Sequence, residues 1–178
     1  EAGPYRPYRE VLRATLHAMA AELGFELAAD ELEVLPDSLV RWPPFPDTVE
    51  ALRWLKARYS LVILSNIDDD LFAGTARQLQ VQFDAVITAQ QVRSYKPALA
   101  HFLEVLGRLR LAPGQILHVA QSLYHDHAPA KRLGFTTVRV NRPSRLAGTG
   151  VSLPAEARAD FEVPDLRSLV ELIQRRLA

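Results

Sequence analysis

The chain has 178 residues, 48% hydrophobic and 24% charged, proportions typical of a globular domain with a buried core. Lys and Arg number 21, as do Asp and Glu, so the charge balance excludes the basic excess of most nucleic-acid-binding proteins. The lack of cysteine excludes disulfides, thiolate metal ligands and a cysteine nucleophile. No apolar stretch reaches the roughly 18 residues that cross a bilayer. We therefore expect a cytoplasmic protein with neither a nucleic-acid nor a membrane partner.

The first 42 residues are predicted to be helical. Apolar side chains recur at helical spacing over residues 8–24 and stop at Gly24, and a second helix is expected from Asp30, as its N-cap, to about Val40. The next stretch, W-P-P-F-P-D at 42–47, cannot continue a helix because of its three prolines. It is either a simple connector or, as we expect, the hinge between a partial helical cap (1–42) and a larger core (43–178).

After the hinge, short apolar strands alternate with helices. Strands are predicted at 61–64, 85–88, 116–119 and 136–140, with a short edge strand at 160–163. Helices are predicted at 47–58, 69–80, 98–110, 127–133 and 165–177, and a loop at 142–158. This alternation predicts an α/β fold with a Rossmann-like parallel sheet core flanked by helices and joined by right-handed crossovers.

Polar side chains follow three of the predicted strands. Ser65 and Asn66 end the first strand, Lys96 comes after the second, and Asp126 comes after the third. Parallel sheets bind ligands beyond the carboxyl ends of their strands, so these groups are expected to meet at one edge. Each also has a plainer interpretation, because Ser, Asn and Asp commonly cap helices. A lysine at a helix start opposes the helix dipole, so Lys96 calls for another explanation.

Further candidates lie next to this predicted edge. Gln121, Ser122 and His125 all follow the third strand, and His125 could tune the site. The run at Asp68–Asp70 is expected to cap a helix rather than to bind a metal, since three adjacent carboxylates cannot all reach one ion. His118 falls within a strand and is expected to be packed in the core.

Three of these stretches resemble, in order, motifs of the haloacid dehalogenase superfamily. L-V-I-L-S-N at 61–66 looks like the second motif, and Y-K-P at 95–97 is similar to the third. Residues 119–126, followed by A-K-R-L-G-F at 130–135, resemble the fourth. The P-F-x-D pattern of the hinge and V-N-R at 140–142 look most like the L-2-haloacid dehalogenase (type II) branch.

The resemblance implies a hydrolase that forms a covalent aspartyl intermediate with a small anionic substrate and then cleaves it with water. Ser65 and Asn66 would bind the carboxylate or phosphate of the substrate. Lys96 would keep the nucleophilic carboxylate ionised and offset developing charge, and Asp126 would orient Lys96 or the hydrolytic water. Phosphatases of the superfamily usually have an aspartate where Gln121 stands. A dehalogenase is therefore expected to need no cofactor, whereas a phosphatase would need Mg²⁺, with Asp126 as a ligand.

The first motif of the superfamily, a strand that ends in the nucleophilic aspartate, is not found. In this fold that strand lies between the strands that end at Ser65 and Val119, and its absence would leave a slot of about 9–10 Å. We therefore expect the sequence to be part of a longer chain, or to be completed by another chain, and to be inactive alone.

Three functions stay open. The first is a 2-haloacid dehalogenase-like enzyme. The second is a Mg²⁺-dependent phosphatase of the same superfamily, since Leu123 stands where haloacid dehalogenases tend to have Asn. The third is a catalytically inactive binding module. A homodimer is also left open.

Overall fold

The computed structural model describes residues 4–142 and 153–177. The helices are α1 (Tyr8–Leu23), α2 (Val34–Ser38), α3 (Thr48–Lys56), α4 (Asp69–Leu79), α5 (Ala89–Val92), α6 (Ala100–Leu109), α7 (Ala128–Arg132) and α8 (Leu166–Leu177). The strands are β1 (Val62–Ser65), β2 (Ala85–Thr88), β3 (Leu117–Ala120), β4 (Thr136–Val140) and β5 (Phe161–Val163). One-turn 3₁₀ segments lie at Ala29–Glu33, Leu39–Arg41 and Pro113–Gln115, and Leu123–His127 form a π-helical turn. Most of the predicted loop at 142–158 lies outside the described residues.

The strands form two parallel sheets. β1 pairs with β2 in one sheet, and β3, β4 and β5 follow one another in the second sheet. Within the described residues, neither β1 nor β3 has a hydrogen-bonded strand on its other side. The predicted α/β fold, a Rossmann-like parallel core flanked by helices, is confirmed.

Helix α6 packs against both sheets and joins them. Phe102 and Val105 of α6 are buried in one apolar cluster with Ile87 of β2, and also with Ala130 and Phe135, which flank the start of β4. Residues of β1 pack against the same cluster. The two sheets are therefore held together by side-chain packing on one face, because no strand pairing links them in the described part of the chain.

The helices before the hinge pack on the first sheet. Leu12 of α1 and Leu39 share an apolar cluster with Leu71 and Phe72 of α4. The second predicted helix is wrong in detail: instead of one helix capped by Asp30, a 3₁₀ turn, the short helix α2 and a second 3₁₀ turn follow one another. Pro36, which lacks a backbone N–H, lies within this stretch, and proline disfavours a long regular helix. Asp30 lies inside the first 3₁₀ turn, whose N-cap is Ala28.

The chain shows no membrane-spanning segment over residues 4–142 and 153–177: none of the helices there is both long and apolar enough to cross a bilayer.

Candidate active site

Lys96 lies where the two sheets approach each other. Its Nζ donates to the backbone oxygen of Leu64 in β1 at 2.9 Å and to Oδ1 of Asp126 at 2.6 Å. Asp126 follows β3, so the ammonium group bridges the ends of one strand from each sheet. Only 10% of the Lys96 side chain and 11% of the Asp126 side chain are exposed. The sequence predicted that Lys96 and Asp126 would meet at one edge of the sheet, and in the structure they form an ion pair there.

Asn66 holds the backbone of Lys96 in place. Its Oδ1 accepts the backbone N–H of Lys96 at 2.7 Å, and its Nδ2 donates to the Lys96 carbonyl at 3.1 Å. Ser65 contributes its carbonyl oxygen, which lies 3.2 Å from Nε2 of His101. Neither Ser65 nor Asn66 caps the following helix, because the N-cap of α4 is Asp68. The plainer interpretation of these two residues as helix caps is therefore wrong.

Asp126 is charged in this setting. Burial disfavours its ionised form, but the approach of His118 and the charge of Lys96 outweigh that effect and hold the pKa of Asp126 well below its usual range. The residue lies within the π-helical turn that follows β3, and the N-cap of that turn is Ser122. Asp126 is thus no N-cap, and a π-helical turn in place of a regular first turn is common at functional sites.

Three buried histidines surround the ion pair, and sequence reasoning gave none of them a role at the site. His118 of β3 places Nε2 3.5 Å from Oδ1 of Asp126, too far for a normal hydrogen bond. Its ring packs against Phe102 at a centroid distance of 5.2 Å, so the predicted packing of His118 is confirmed. Burial and the charge of Lys96 lower the pKa of His101 to about 4, and burial also lowers the pKa of His127. His101 and His127 are therefore neutral near pH 7.

The remaining candidates lie in the turn after β3. Ser122 Oγ is 3.0 Å from Nδ1 of His125 and accepts the backbone N–H of the same residue at 3.1 Å. Gln121 is exposed. Asp126 of this turn contacts Lys96, whereas Ser122 and His125 contact each other, and their predicted part in the chemistry stays a prediction.

A cleft of about 370 Å³ lies beside the end of β1. Ser65 and Asn66 line it, together with Tyr8, the aromatic side chains Trp42 and Phe45 of the hinge, and apolar residues of α4 and the preceding helices. None of its lining residues carries a charge. The cleft therefore suits the uncharged part of a small molecule whose reacting end lies towards Ser65 and Asn66.

The carboxylates of the run Asp68–Asp70 bind groups of α1 and of β2. Both carboxylate oxygens of Asp68 accept backbone N–H groups of α1, from Tyr8 at 2.9 Å and from Arg9 at 3.0 Å. Asp69 accepts from Thr88 Oγ1 at 2.7 Å, and Asp70 pairs with the Arg9 side chain at 2.9 Å. As N-cap of α4, Asp68 makes no side-chain cap bond to that helix. Asp68 therefore caps α1 instead of α4, and all three carboxylates are bound by other groups of the protein.

The donor groups beside Lys96 do not fit a Mg²⁺ site. Among residues 4–142 and 153–177, Asp126 alone places a carboxylate on Lys96, and its Oδ1 already contacts the ammonium cation. No group of three His, Asp or Glu side chains in that part of the chain could hold a metal ion. Gln121 offers a neutral amide, a poorer ligand for a hard cation than a carboxylate.

Comparison with known proteins agrees with this geometry. The model of the haloacid dehalogenase-like hydrolases matches residues 6–134. The chain belongs to this hydrolase family. It is 31% identical to an (S)-2-haloacid dehalogenase of Xanthobacter autotrophicus, in an alignment that covers 97% of this chain and 75% of that protein. The motifs recognised in the sequence thus place the chain in the correct family and near its L-2-haloacid dehalogenase branch.

Two further proteins that are similar to this haloacid dehalogenase-like hydrolase catalyse different reactions. The structure of the L-2-haloacid dehalogenase from Xanthobacter autotrophicus with chloropropionic acid covalently bound superposes with a TM-score of 0.82, at 28% identity over 96% of this chain and 77% of that one. A glyceraldehyde 3-phosphate phosphatase of Methanocaldococcus jannaschii is 29% identical over 74% of this chain and 57% of that protein. The family therefore includes relatives of both reaction types.

Proposed function

We propose that this hydrolase acts on small anionic molecules through a covalent aspartyl intermediate and is 2-haloacid dehalogenase-like. The observation that carries the proposal is the buried Lys96 ammonium, bound to the carbonyl of Leu64 and to Asp126 at the strand ends. A buried cation at this edge can stabilise a nucleophilic carboxylate and the negative charge that develops during displacement. The similarity to (S)-2-haloacid dehalogenases supports the same reaction.

In the proposed reaction, a carboxylate oxygen attacks C2 of the haloacid, and the carbon–halogen bond breaks with its electron pair leaving as halide. Water then cleaves the resulting ester, which gives a 2-hydroxy acid, restores the carboxylate and releases one proton. Lys96 would face the carboxylate in both steps. Asp126 would orient the Lys96 ammonium or the attacking water, and Ser65 and Asn66 would bind the substrate carboxylate.

We further propose that the nucleophile comes from a strand between β1 and β3 that residues 4–142 and 153–177 do not supply. Two observations support this arrangement. Neither β1 nor β3 has a strand on its second edge in the described residues, and Lys96 lies between their ends. Unpaired strand edges buried in a core are costly, so a strand there would satisfy both. Residues 1–42 would then be part of the cap, and 43–178 the rest of the core.

A Mg²⁺-dependent phosphatase is the second candidate, favoured by the similarity to a phosphatase over 74% of the chain. The donor set beside Lys96 speaks against it, because Gln121 stands where a second carboxylate would be needed. The dehalogenase proposal therefore includes independence from metal ions. The cytoplasmic location and the homodimer stay predictions.

The test compares the 178-residue chain with the full-length product of its gene. We expect the full-length protein to release chloride from 2-chloropropionate in the presence of EDTA, and the 178-residue chain to release none. Phosphate release from p-nitrophenyl phosphate that EDTA abolishes would favour the phosphatase instead. A full-length protein without either activity would favour the inactive binding module, and turnover by the 178-residue chain would refute the external nucleophile.

A further inference from the structure

Two motifs that are 95 residues apart in sequence meet in a second, partly buried ion pair. Arg142 Nη1 and Nη2 donate to the two carboxylate oxygens of Asp47 at 2.9 and 2.8 Å. Only 17% of the Arg142 side chain and 11% of the Asp47 side chain are exposed. Asp47 Oδ2 also accepts the backbone N–H of Leu166, the first residue of α8, at 2.7 Å. The pair therefore ties the end of the hinge to the segment after β4 and to α8.

The hinge has few backbone N–H groups that could hydrogen-bond to the rest of the protein. Three of its six residues, at positions 43, 44 and 46, are prolines and lack the N–H that could bind a neighbour. The carbonyl of Phe45 accepts the N–H of Thr48 at 2.9 Å, a contact within the same turn. Arg142 provides a contact from outside: its guanidinium carbon lies 4.1 Å from the centre of the Phe45 ring, within cation–π range.

Through this contact Arg142 reaches the wall of the cleft. Phe45 and Trp42 line the cleft together with Ser65 and Asn66. Both rings are largely exposed, at 60% for Phe45 and 59% for Trp42, so apolar packing fixes them only in part. The Trp42 indole N–H donates to Ser38 Oγ at 3.2 Å, which attaches it to the helices before the hinge. Phe45 is attached to the core by Arg142.

We propose that Arg142 is a positioning residue of the cleft, which sets the place of Phe45 in the wall that Trp42 also lines. One planar guanidinium group makes both contacts: its edge binds both oxygens of Asp47, and its face packs on Phe45. A lysine cannot reproduce this geometry, because its ammonium is a point charge without a flat face. The inference rests on the proposed function only in taking the cleft as the substrate site.

The test uses Trp42 as a local reporter. The chain has two tryptophans, Trp42 and Trp54, so a Trp54→Phe background leaves Trp42 alone to fluoresce. In that background we expect Arg142→Lys to shift the Trp42 emission maximum and to change its quenching by acrylamide, measured well below Tm. The matched control is Arg139→Lys, in which another arginine of the same region, paired with Glu162, undergoes the same substitution. The control should leave both Trp42 signals unchanged.

A second variant separates positioning from stability. Phe45→Leu removes the ring and leaves the Asp47–Arg142 pair in place, so Tm should be kept while the Trp42 signals change. In the full-length enzyme, Arg142→Lys should raise KM by about 3- to 10-fold, a loss of about 0.7–1.4 kcal/mol of binding, with kcat nearly unchanged.

A lower Tm for Arg142→Lys together with Trp42 signals equal to those of the control would overturn the proposal, since Arg142 would then only stabilise the fold. Unchanged Trp42 signals in Phe45→Leu would overturn it as well, even if Arg142→Lys does not fold. The fluorescence arm needs no turnover, so an inactive full-length protein would refute the proposed function and leave this result standing.

Discussion

The buried Lys96–Asp126 pair and the partly buried Asp47–Arg142 pair differ in how fully their carboxylate oxygens are used. In the Asp47–Arg142 pair, each carboxylate oxygen accepts from the guanidinium group and one also accepts from Leu166. In the Lys96–Asp126 pair, Nζ donates two hydrogen bonds of the three that an ammonium group can make. Oδ2 of Asp126 accepts none from residues 4–142 or 153–177. Both carboxylate oxygens of Asp47 therefore have donors, whereas the Lys96–Asp126 pair keeps one ammonium hydrogen and one carboxylate oxygen for a ligand.

This difference indicates what each pair is for. A pair whose two carboxylate oxygens are both bound within the protein fixes the segments that carry it. An unsaturated pair in a buried place leaves polar groups without partners, which costs stability unless another group satisfies them. Such a cost is common at functional sites, and the Lys96–Asp126 pair lies at the strand ends where parallel sheets bind ligands.

The largest effect is expected on removal of one charge from either pair. Asp47→Asn should lower the free energy of unfolding by about 3 kcal/mol, the lower end of the range for a buried pair, because it leaves the partly buried Arg142 cation unmatched. Asp126→Asn should cost less, since a lysine can release its proton when its partner is lost and an arginine cannot. Urea unfolding at pH 7 measures both. Glu104→Gln, which breaks an exposed pair with Arg108, is the control and should cost less than about 1 kcal/mol. Equal losses in all three variants would contradict the distinction.

The next effect concerns turnover by the full-length protein. Lys96→Ala should lower kcat at least about 10²-fold, because it removes the cation that would face the nucleophile and the developing charge. The steady-state rate of halide release measures this. Lys131→Ala is the control: Lys131 pairs with Asp160 at the surface, and its loss should leave kcat unchanged. A Lys96→Ala enzyme with normal kcat would remove Lys96 from the site.

A third effect, similar in size, is a pH dependence of stability. The folded-state pKa of His101 is about 4, whereas an unfolded histidine has a pKa near about 6.5. Between these values the unfolded chain binds a proton that the folded chain does not, so stability should fall by about 3 kcal/mol as the pH drops from 6.5 to 4. His127, whose pKa is also lowered, acts in the same direction.

Urea unfolding at several pH values in this window checks that prediction. In His101→Gln the fall should be smaller, since only His127 remains of the two buried histidines with lowered pKa. His17 has no buried surroundings, so His17→Gln should retain the full slope. An unchanged slope in His101→Gln would show that the pH dependence arises elsewhere.

Sequence reasoning predicted those parts of the site that depend only on the order of residues along the chain. Short apolar strands followed by polar residues placed Ser65, Lys96 and Asp126 at one edge, since parallel strands end on the same side of a sheet. The meeting of Lys96 and Asp126 follows from strand order alone. The use of the Asn66 side chain to bind the backbone of Lys96 does not, because two loops must be folded before their distance is known.

The contacts that sequence reasoning missed join distant segments. Asp47 and Arg142 each belonged to a recognised motif, but nothing in either motif indicates that the two would pair. Asp68 was expected to cap the helix that follows it, but in the folded protein it caps α1. His118 was expected to be packed, and its approach to Asp126 depends on the turn after β3. A hydrophobic pattern gives the elements, whereas these contacts depend on how the elements pack.

The capping of α1 by Asp68 connects two parts of the molecule mechanically. Asp68 lies two residues after Asn66, and the side-chain amide of Asn66 makes two hydrogen bonds with the backbone of Lys96. As long as its two bonds to Asp68 hold, a movement of α1 would pull on the loop that binds the backbone of Lys96. The positions of α1 and of the Lys96 ammonium are therefore coupled.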